Sequence, residues 1–265
     1  MKIAVCIKQV PQTSEVKIDP ETHTLIREGV DSQINPFDLY ALEEAVRVKE
    51  RLIEQGQEAS VSVITMGPPQ AETALREAIS LGADEAILLS DRAFAGSDTW
   101  STSYALAQGV AKVDPSLVFC GMQAIDGDTG QVGPGMAVHL DFAQAAYVAQ
   151  IEEIDEKKIV VKRLIESGYE RVSLKLPAVL TVVKEINEPR TPSLRGKMNA
   201  KKAEITVWKA ADIEANPEMI GLIGSPTQVI KIFSPAHREG GEKWSGEAPE
   251  LADKLCDLLK EMEIV

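Results

Sequence analysis

The 265-residue sequence has no apolar run approaching the roughly 20 residues needed to cross a bilayer. No secretion signal is expected either. Residues 1–5 (MKIAV) run straight into an apolar segment, without the longer apolar stretch and small-residue cleavage site of a leader. A cytoplasmic location is the expectation. Positive charge is in short supply, with 28 Lys plus Arg against 41 Asp plus Glu for a net charge of −13. Neither nucleic acid nor an anionic membrane would release counterions favourably on binding so acidic a chain. The acidic residues are spread along the whole length, a pattern that serves solubility. Cysteine is scarce: Cys6, Cys120 and Cys256, with no CxxC spacing. Cys6 and Cys120 lie in strand-like apolar runs, where cysteine packs as a small, inert hydrophobe. His23, His139 and His237 share no metal-ligand spacing, so no structural metal is expected. GxGxxG, GxxxxGK[ST], GxSxG and HExxH are all missing, which leaves an ordinary dehydrogenase, kinase or hydrolase without its motif.

What is present is enough apolar residue, 44% of the chain, for one large domain or one domain plus an appendage. Residues 3–7 form a continuous apolar run, suited to a parallel strand buried on both faces. Residues 16–18 and 24–26 flank a Pro-Glu-Thr-His turn and read as a small hairpin. Asn35-Pro36 then opens a helix that Gly56 can end. Strand-like 60–65, helix-like 69–81 and strand-like 85–89 follow. Next come a helix capped by Ser97 or Asp98 and running to about 110, a strand at 117–120, and a helix over 130–139. Strands separated by helical patterns predict right-handed crossovers and an α/β fold, a doubly wound and mostly parallel sheet with helices on both faces.

The texture changes after about residue 145. Runs at 151–154, 159–165, 169–174 and 178–183 are short, β-rich and tightly connected, which suggests added or antiparallel strands beside the parallel sheet. Residues 187–202, rich in Pro, Arg and Lys, read as irregular. Residues 225–249 are polar and turn-rich and precede one helix at 251–262. That last piece is too small to fold alone. The expected organisation is therefore a domain over 1–224 and, over 225–265, a C-terminal arm that packs on a partner.

One segment carries candidate chemistry. Residues 121–134 (GMQAIDGDTGQVGP) follow a predicted parallel strand and precede a helix, at the edge where open α/β sheets bind ligands. Glycines at 127, 130 and 133 permit close backbone approach and unusual dihedrals. The N–H groups of 129–132 lie at a helix N-terminus and can hold a pyrophosphate. Asp126 and Asp128 would repel phosphate, which suits them to ribose hydroxyls or to shaping the turn. Spacing alone is met equally by a glycine-rich turn with an ordinary cap. Met66-Gly67-Pro68-Pro69 and Asn35-Pro36-Phe37-Asp38 end or begin elements at the same edge, and three such segments converging favour a nucleotide pocket.

Taken together, the loop at 121–132, the stretch at 161–181 (VKRLIESGYERVSLKLPAVLT), the segment at 187–202 (NEPRTPSLRGKMNAKK) and the early segments 5–11, 35–44 and 65–69 resemble the beta (small) subunit of electron-transferring flavoproteins over nearly the whole chain. The resemblance implies a Rossmann-like, adenine-nucleotide alpha-hydrolase-like fold and a heterodimer with an alpha subunit that holds a flavin. The run at 126–134 is similar to the pattern of the electron-bifurcating branch, whose beta subunit binds FAD. Other members bind AMP there, usually through a more acidic, Asn-containing loop. Met122 departs from relatives, which often carry a basic residue at that place, and Ser167 varies within the 161–181 stretch.

The site residues the resemblance implies are Cys6 (through its backbone), Asn35, Phe37, Asp38, Met66, Gly121, Gln123, Ala124, Asp126, Gly127, Asp128, Thr129, Gly130, Gln131 and Val132. It also implies a dehydrogenase-recognition loop in which Leu194 is an exposed apolar anchor. A loop residue folded back on its own subunit is the alternative, and Pro192, Arg195 and Lys197 beside it favour the anchor. Arg190, Lys201 and Lys202 are then solvated or steering charges. The implied reaction passes a hydride from NADH to FAD. Electrons then go on to ferredoxin or flavodoxin and, through the larger subunit's FAD, to an acyl-CoA or lactate dehydrogenase, with no catalytic side chain needed. Two competing readings are a non-bifurcating carrier with structural AMP and an adenine-nucleotide sensor of the universal-stress type.

Overall fold

A computed structural model describes residues 1–12, 32–230 and 240–264. The hairpin expected over 16–26 lies outside them, as do His23 and His237. Two compact units are present, Met1–Ile230 and Lys231–Val265.

The first unit is built on nine strands in the order β11-β5-β4-β1-β6-β10-β7-β8-β9. They are β1 (Lys2–Cys6), β4 (Ser60–Met66), β5 (Glu85–Leu89), β6 (Leu117–Gly121), β7 (Ala143–Ile154), β8 (Lys158–Ile165), β9 (Gly168–Lys175), β10 (Ala178–Val182) and β11 (Thr206–Trp208). The sheet is parallel from β11 through β7. It turns antiparallel only at β8 and β9. A separate two-stranded sheet pairs β2 (Gln9–Pro11) with β3 (Ser32–Ile34). The expected change of texture is therefore half right. β8 and β9 are the antiparallel addition, whereas β10 inserts between β6 and β7 as a parallel strand buried along its whole length.

Side-chain alternation along the strands divides the core. Ile3, Val5, Val61, Val63 and Phe119 face one way and meet α1 (Pro36–Glu54) and α2 (Glu72–Ser80). Ala4, Cys6, Ile64, Val118 and Cys120 face the other way and meet α3 (Thr99–Val113) and α4 (Val132–Leu140). That is a doubly wound α/β sheet with helices on both faces. The stretch read as irregular contains α5 (Leu194–Lys202), nine residues begun by Ser193, whose hydroxyl accepts the Gly196 N–H at 2.9 Å. Pro192, Gly196 and the run of bases hide its helical pattern in the sequence.

Asp98 caps α3 by accepting the Trp100 and Ser101 N–H groups on one carboxylate oxygen. Its other oxygen takes the Thr227 N–H at 2.9 Å and the Thr227 hydroxyl at 2.8 Å. Ser225 Oγ accepts the Asp98 N–H at 2.8 Å. Although burial opposes it, these donors hold the Asp98 carboxyl below its ordinary range. Residues 225–227 are thus tied to the start of α3.

The second unit contributes α6 (Ala248–Glu261). Leu251, Leu255, Leu258, Leu259 and Met262 recur at helical spacing, and no residue of α6 is buried. Within this unit, Lys254 Nζ sits 4.2 Å over the Trp244 ring.

Candidate functional site

Strand order places the site. From β1 the chain moves to β4 and β5 on one side, then returns to lay β6 on the other. The winding reverses between β1 and β6, and the crevice beyond their carboxyl ends is where open α/β sheets take ligands. Cys6 and Cys120 are register partners at those ends, and both are buried. The Cys6 thiol beside it, and then burial, push the Cys120 thiol well above its ordinary value, which keeps it protonated and unreactive. Met66 ends the adjacent β4, half-buried.

Two side chains at the start of α1 shape the loop between β6 and α4. Asn35, 1% exposed, donates its amide to the Gln123 carbonyl at 2.8 Å and accepts the Ile125 N–H at 3.1 Å. Asp38, 6% exposed, accepts the Lys8 N–H at 2.7 Å and the Gly121 N–H at 3.2 Å. Burial pushes the Asp38 carboxyl up to about 7, against the pull of the Lys8, Asn35 and Gly121 hydrogen bonds. Gly121 is glycine because a Cβ there would sit 2.7 Å from the Phe37 carbonyl carbon. The polar atoms of Asn35 and Asp38 are therefore engaged with the chain's own backbone, and Phe37 is wedged against the end of β6.

The rest of the loop is exposed from Ile125 through Thr129. Asp128 (φ 52°) and Gly130 (φ 61°) take left-handed conformations that turn it. The Ala124 carbonyl accepts the Asp128 N–H at 2.8 Å. The three glycines have different duties. Gly130 supplies its φ. A Cβ on Gly133 would lie 2.5 Å from Thr181 Cγ2, so that glycine lets α4 press on β10. At Gly127 a Cβ would meet only Lys8 Nζ, at 3.7 Å, so there the backbone has open space.

The donor set suits a diphosphate. α4 begins at Gln131 with no side-chain cap, and the N–H groups of a first helical turn have no partner within the helix. Pro134 contributes no donor, but the preceding N–H groups and the positive end of the helix dipole favour an anion. Gln131 is held sideways, its Oε1 accepting the Thr99 hydroxyl at 3.2 Å. Asp126 would repel phosphate if it stood alone, but its Oδ1 lies 2.6 Å from Lys8 Nζ, so its charge is matched. Lys8 has no place among the expected site residues. Its signal was a base two positions past a central strand in a chain poor in bases.

A model of the electron transfer flavoprotein domain matches residues 22–213. Electron transfer flavoprotein subunit beta of Thermoanaerobacterium thermosaccharolyticum is 49% identical over 266 residues, 100% of both chains. The chain belongs to the electron transfer flavoprotein family. Caffeyl-CoA reductase-Etf complex subunit CarD of Acetobacterium woodii is 51% identical over 267 residues, again 100% of both chains. Protein FixA of Azotobacter vinelandii is 47% identical over 246 residues, 90% of this chain and 85% of that one. As a beta-type electron transfer flavoprotein the chain is associated with a flavin or nucleotide cofactor and with an alpha-subunit partner. The universal-stress reading falls with that membership.

In this electron transfer flavoprotein subunit the expected recognition residues lie around the first turn of α5, which presses on the end of α2 at Gly196 and Ser80. Leu194 is 79% exposed and so is not folded back on its own subunit. Arg195 and Lys197 stand in the same turn, after Pro192. Arg190 corrects the expectation of a solvated charge. It bridges two glutamates of α1, with Nε 2.7 Å from Glu43 Oε2 and Nη1 2.7 Å from Glu50 Oε1. Among the described residues no helix is long and apolar enough to cross a membrane.

Proposed function

We propose that the loop at 121–132 holds the diphosphate of FAD and that the chain serves NADH-dependent electron bifurcation. The observation that carries this reading is the uncapped start of α4 at the β1–β6 switch point, beside an exposed loop in which the Asp126 carboxylate is matched by Lys8. Two further supports are the likeness of residues 126–134 to the bifurcating pattern and the relatedness to subunit CarD and Protein FixA. In this reading the backbone of Gly121, Gln123, Ala124 and Gly127 lines the cofactor. Thr129, Gly130, Gln131 and Val132 present N–H groups to it, and Asp126 and Asp128 face ribose hydroxyls. Cys6 and Met66 contribute the floor, and Asn35, Phe37 and Asp38 keep the loop in shape. Backbone amides aimed at developing negative charge need no reorganisation when it forms. When bound, FAD supplies the ability to take a hydride from NADH and pass its two electrons singly, one to ferredoxin or flavodoxin and one through the alpha subunit's flavin to a dehydrogenase.

Two surfaces fit the partners this requires. The apolar stripe of α6, and the arm over 225–265 that carries it, suit packing on the alpha subunit in the cytoplasm. Leu194, with Pro192, Arg195 and Lys197, suits an apolar pocket of an acyl-CoA or lactate dehydrogenase, the kind of central anchor that dominates an interface. The test is to purify the alpha–beta complex and count nucleotides. Two FAD and no AMP per complex are expected. One FAD plus one AMP would mean that this subunit carries structural AMP and does not bifurcate.

A further inference from the structure

The segment leading into α5 is stapled to α1 by two successive side chains. Asn187 donates its amide to the Tyr40 carbonyl and to Glu44 Oε2, each at 3.0 Å. Arg190 then meets Glu50 with both terminal nitrogens, at 2.7 and 2.9 Å, and Glu43 with Nε at 2.7 Å, while its own N–H reaches Glu43 Oε2 at 3.2 Å. Glu43 is only 4% exposed, and a buried carboxylate stays ionised only if it is paired and hydrogen-bonded. Arg190 and Arg47 supply that pairing.

Past the staple, α5 is fixed at both ends. Ser193 caps its start. At Gly196 the bare backbone lies directly against the Ser80 carbonyl at the end of α2, where any Cβ would collide. Arg76 Nη1 takes the Ala200 and Ala203 carbonyls at 2.7 and 3.2 Å, closing the other end. Leu194 and Met198, one helical turn apart, are left outward at 79% and 54% exposure. An apolar pair held out on so firmly anchored a helix needs no further backbone ordering when a pocket receives it, and ordering costs help to separate weak from tight interfaces of equal area.

We propose that Arg190 is a positioning residue for partner docking, fixing the bearing of α5 on α1 so that Leu194 is presented already ordered. This rests on the docking reading above and adds to it a residue that touches no partner. A planar bidentate fork suits the role, because it fixes direction as well as distance. A lysine would reach only one of the two glutamates at a time.

The experiment compares R190Q, R190K and L194A in the purified alpha–beta complex. It reads flavin content, amide exchange over 194–203, and the half-saturating concentration and limiting rate of the complex as donor to an acyl-CoA dehydrogenase. R190Q is expected to keep its flavin, to speed exchange at 194–198, and to raise half-saturation about tenfold, the equivalent of roughly 1.4 kcal/mol, with the limiting rate within about twofold. R190K should recover part of the loss. An R190Q complex with unchanged half-saturation overturns the proposal, whether or not exchange changes. So does a loss confined to the limiting rate. If L194A also leaves half-saturation unchanged, the docking reading falls together with the inference. If L194A raises it and R190Q does not, the inference alone falls. Should R190Q fail to assemble, E50Q, which leaves Glu43 paired, carries the test, with a rise of about twofold to threefold expected and no rise overturning it.

Discussion

One helix holds two regions by different physics. The start of α1 grips the loop between β6 and α4 through Asn35 and Asp38, two almost fully buried side chains that bond to backbone. From Glu43 to Glu50 the same helix grips the segment before α5 through charge pairs, one end of which reaches solvent. The first grip is short-ranged, indifferent to salt and coupled to a proton. The second is screened by salt and, with guanidinium on one side, does not titrate in the ordinary range. Asp38 and Glu43 show the contrast within five residues. Both are buried carboxylates, yet burial pushes Asp38 up to about 7 against its hydrogen bonds and the Lys8 charge, while Arg190 and Arg47 hold Glu43 below its usual range despite its burial.

The sharpest way to break this comparison is pH. The folded-state value for Asp38 lies above the unfolded one, so its favourable contribution is complete below about pH 4. It is lost as pH rises through about 7. Measured as unfolding free energy against D38N, the wild-type advantage should fall between those values with a slope approaching about 1.4 kcal/mol per pH unit. A flat difference would mean that Asp38 titrates normally. Next in size is Asn35→Ala, which leaves the Gln123 carbonyl and the Ile125 N–H without their partner. It should cost roughly 2 kcal/mol of stability and loosen cofactor retention on dialysis, while half-saturation for a dehydrogenase stays put. Equal damage to both functions would show that the two grips are not separate. The smallest effect is ionic. Moving to about 1 M salt shortens the screening length to roughly 3 Å, and amide exchange should quicken over 187–198 by a small factor and not over 121–125.

The sequence was most legible where periodicity and punctuation agree. Residues 85–89 announced β5, the cap of α3 was narrowed to Ser97 or Asp98 and is Asp98, and Asn35-Pro36 placed the start of α1. The 121–134 segment was legible as a glycine-rich loop between a strand and a helix, which is where the structure has it, between β6 and α4. Two things were not legible. β10 reads like any short β run, and nothing local says that it slots between β6 and β7, because strand order is decided by long-range pairing. The duties of Asn35, Asp38 and Arg190 were also hidden. Whether a polar side chain meets a ligand or its own chain depends on partners 30 to 147 residues away in the sequence. Lys8 went unseen for the same reason, since Asp126 is 118 residues distant.

The link between Asp98 and Thr227 has a practical consequence. A chain trimmed after Gly224, at the boundary the sequence suggests, would strip Asp98 of both Thr227 donors and its own N–H of Ser225. The loosened helix start is the one whose next residue, Thr99, steadies Gln131 at the mouth of α4. A tailless version would therefore have a loosened start of α4 that its missing residues never touched. A cut beyond Ile230 would leave these bonds to Asp98 in place.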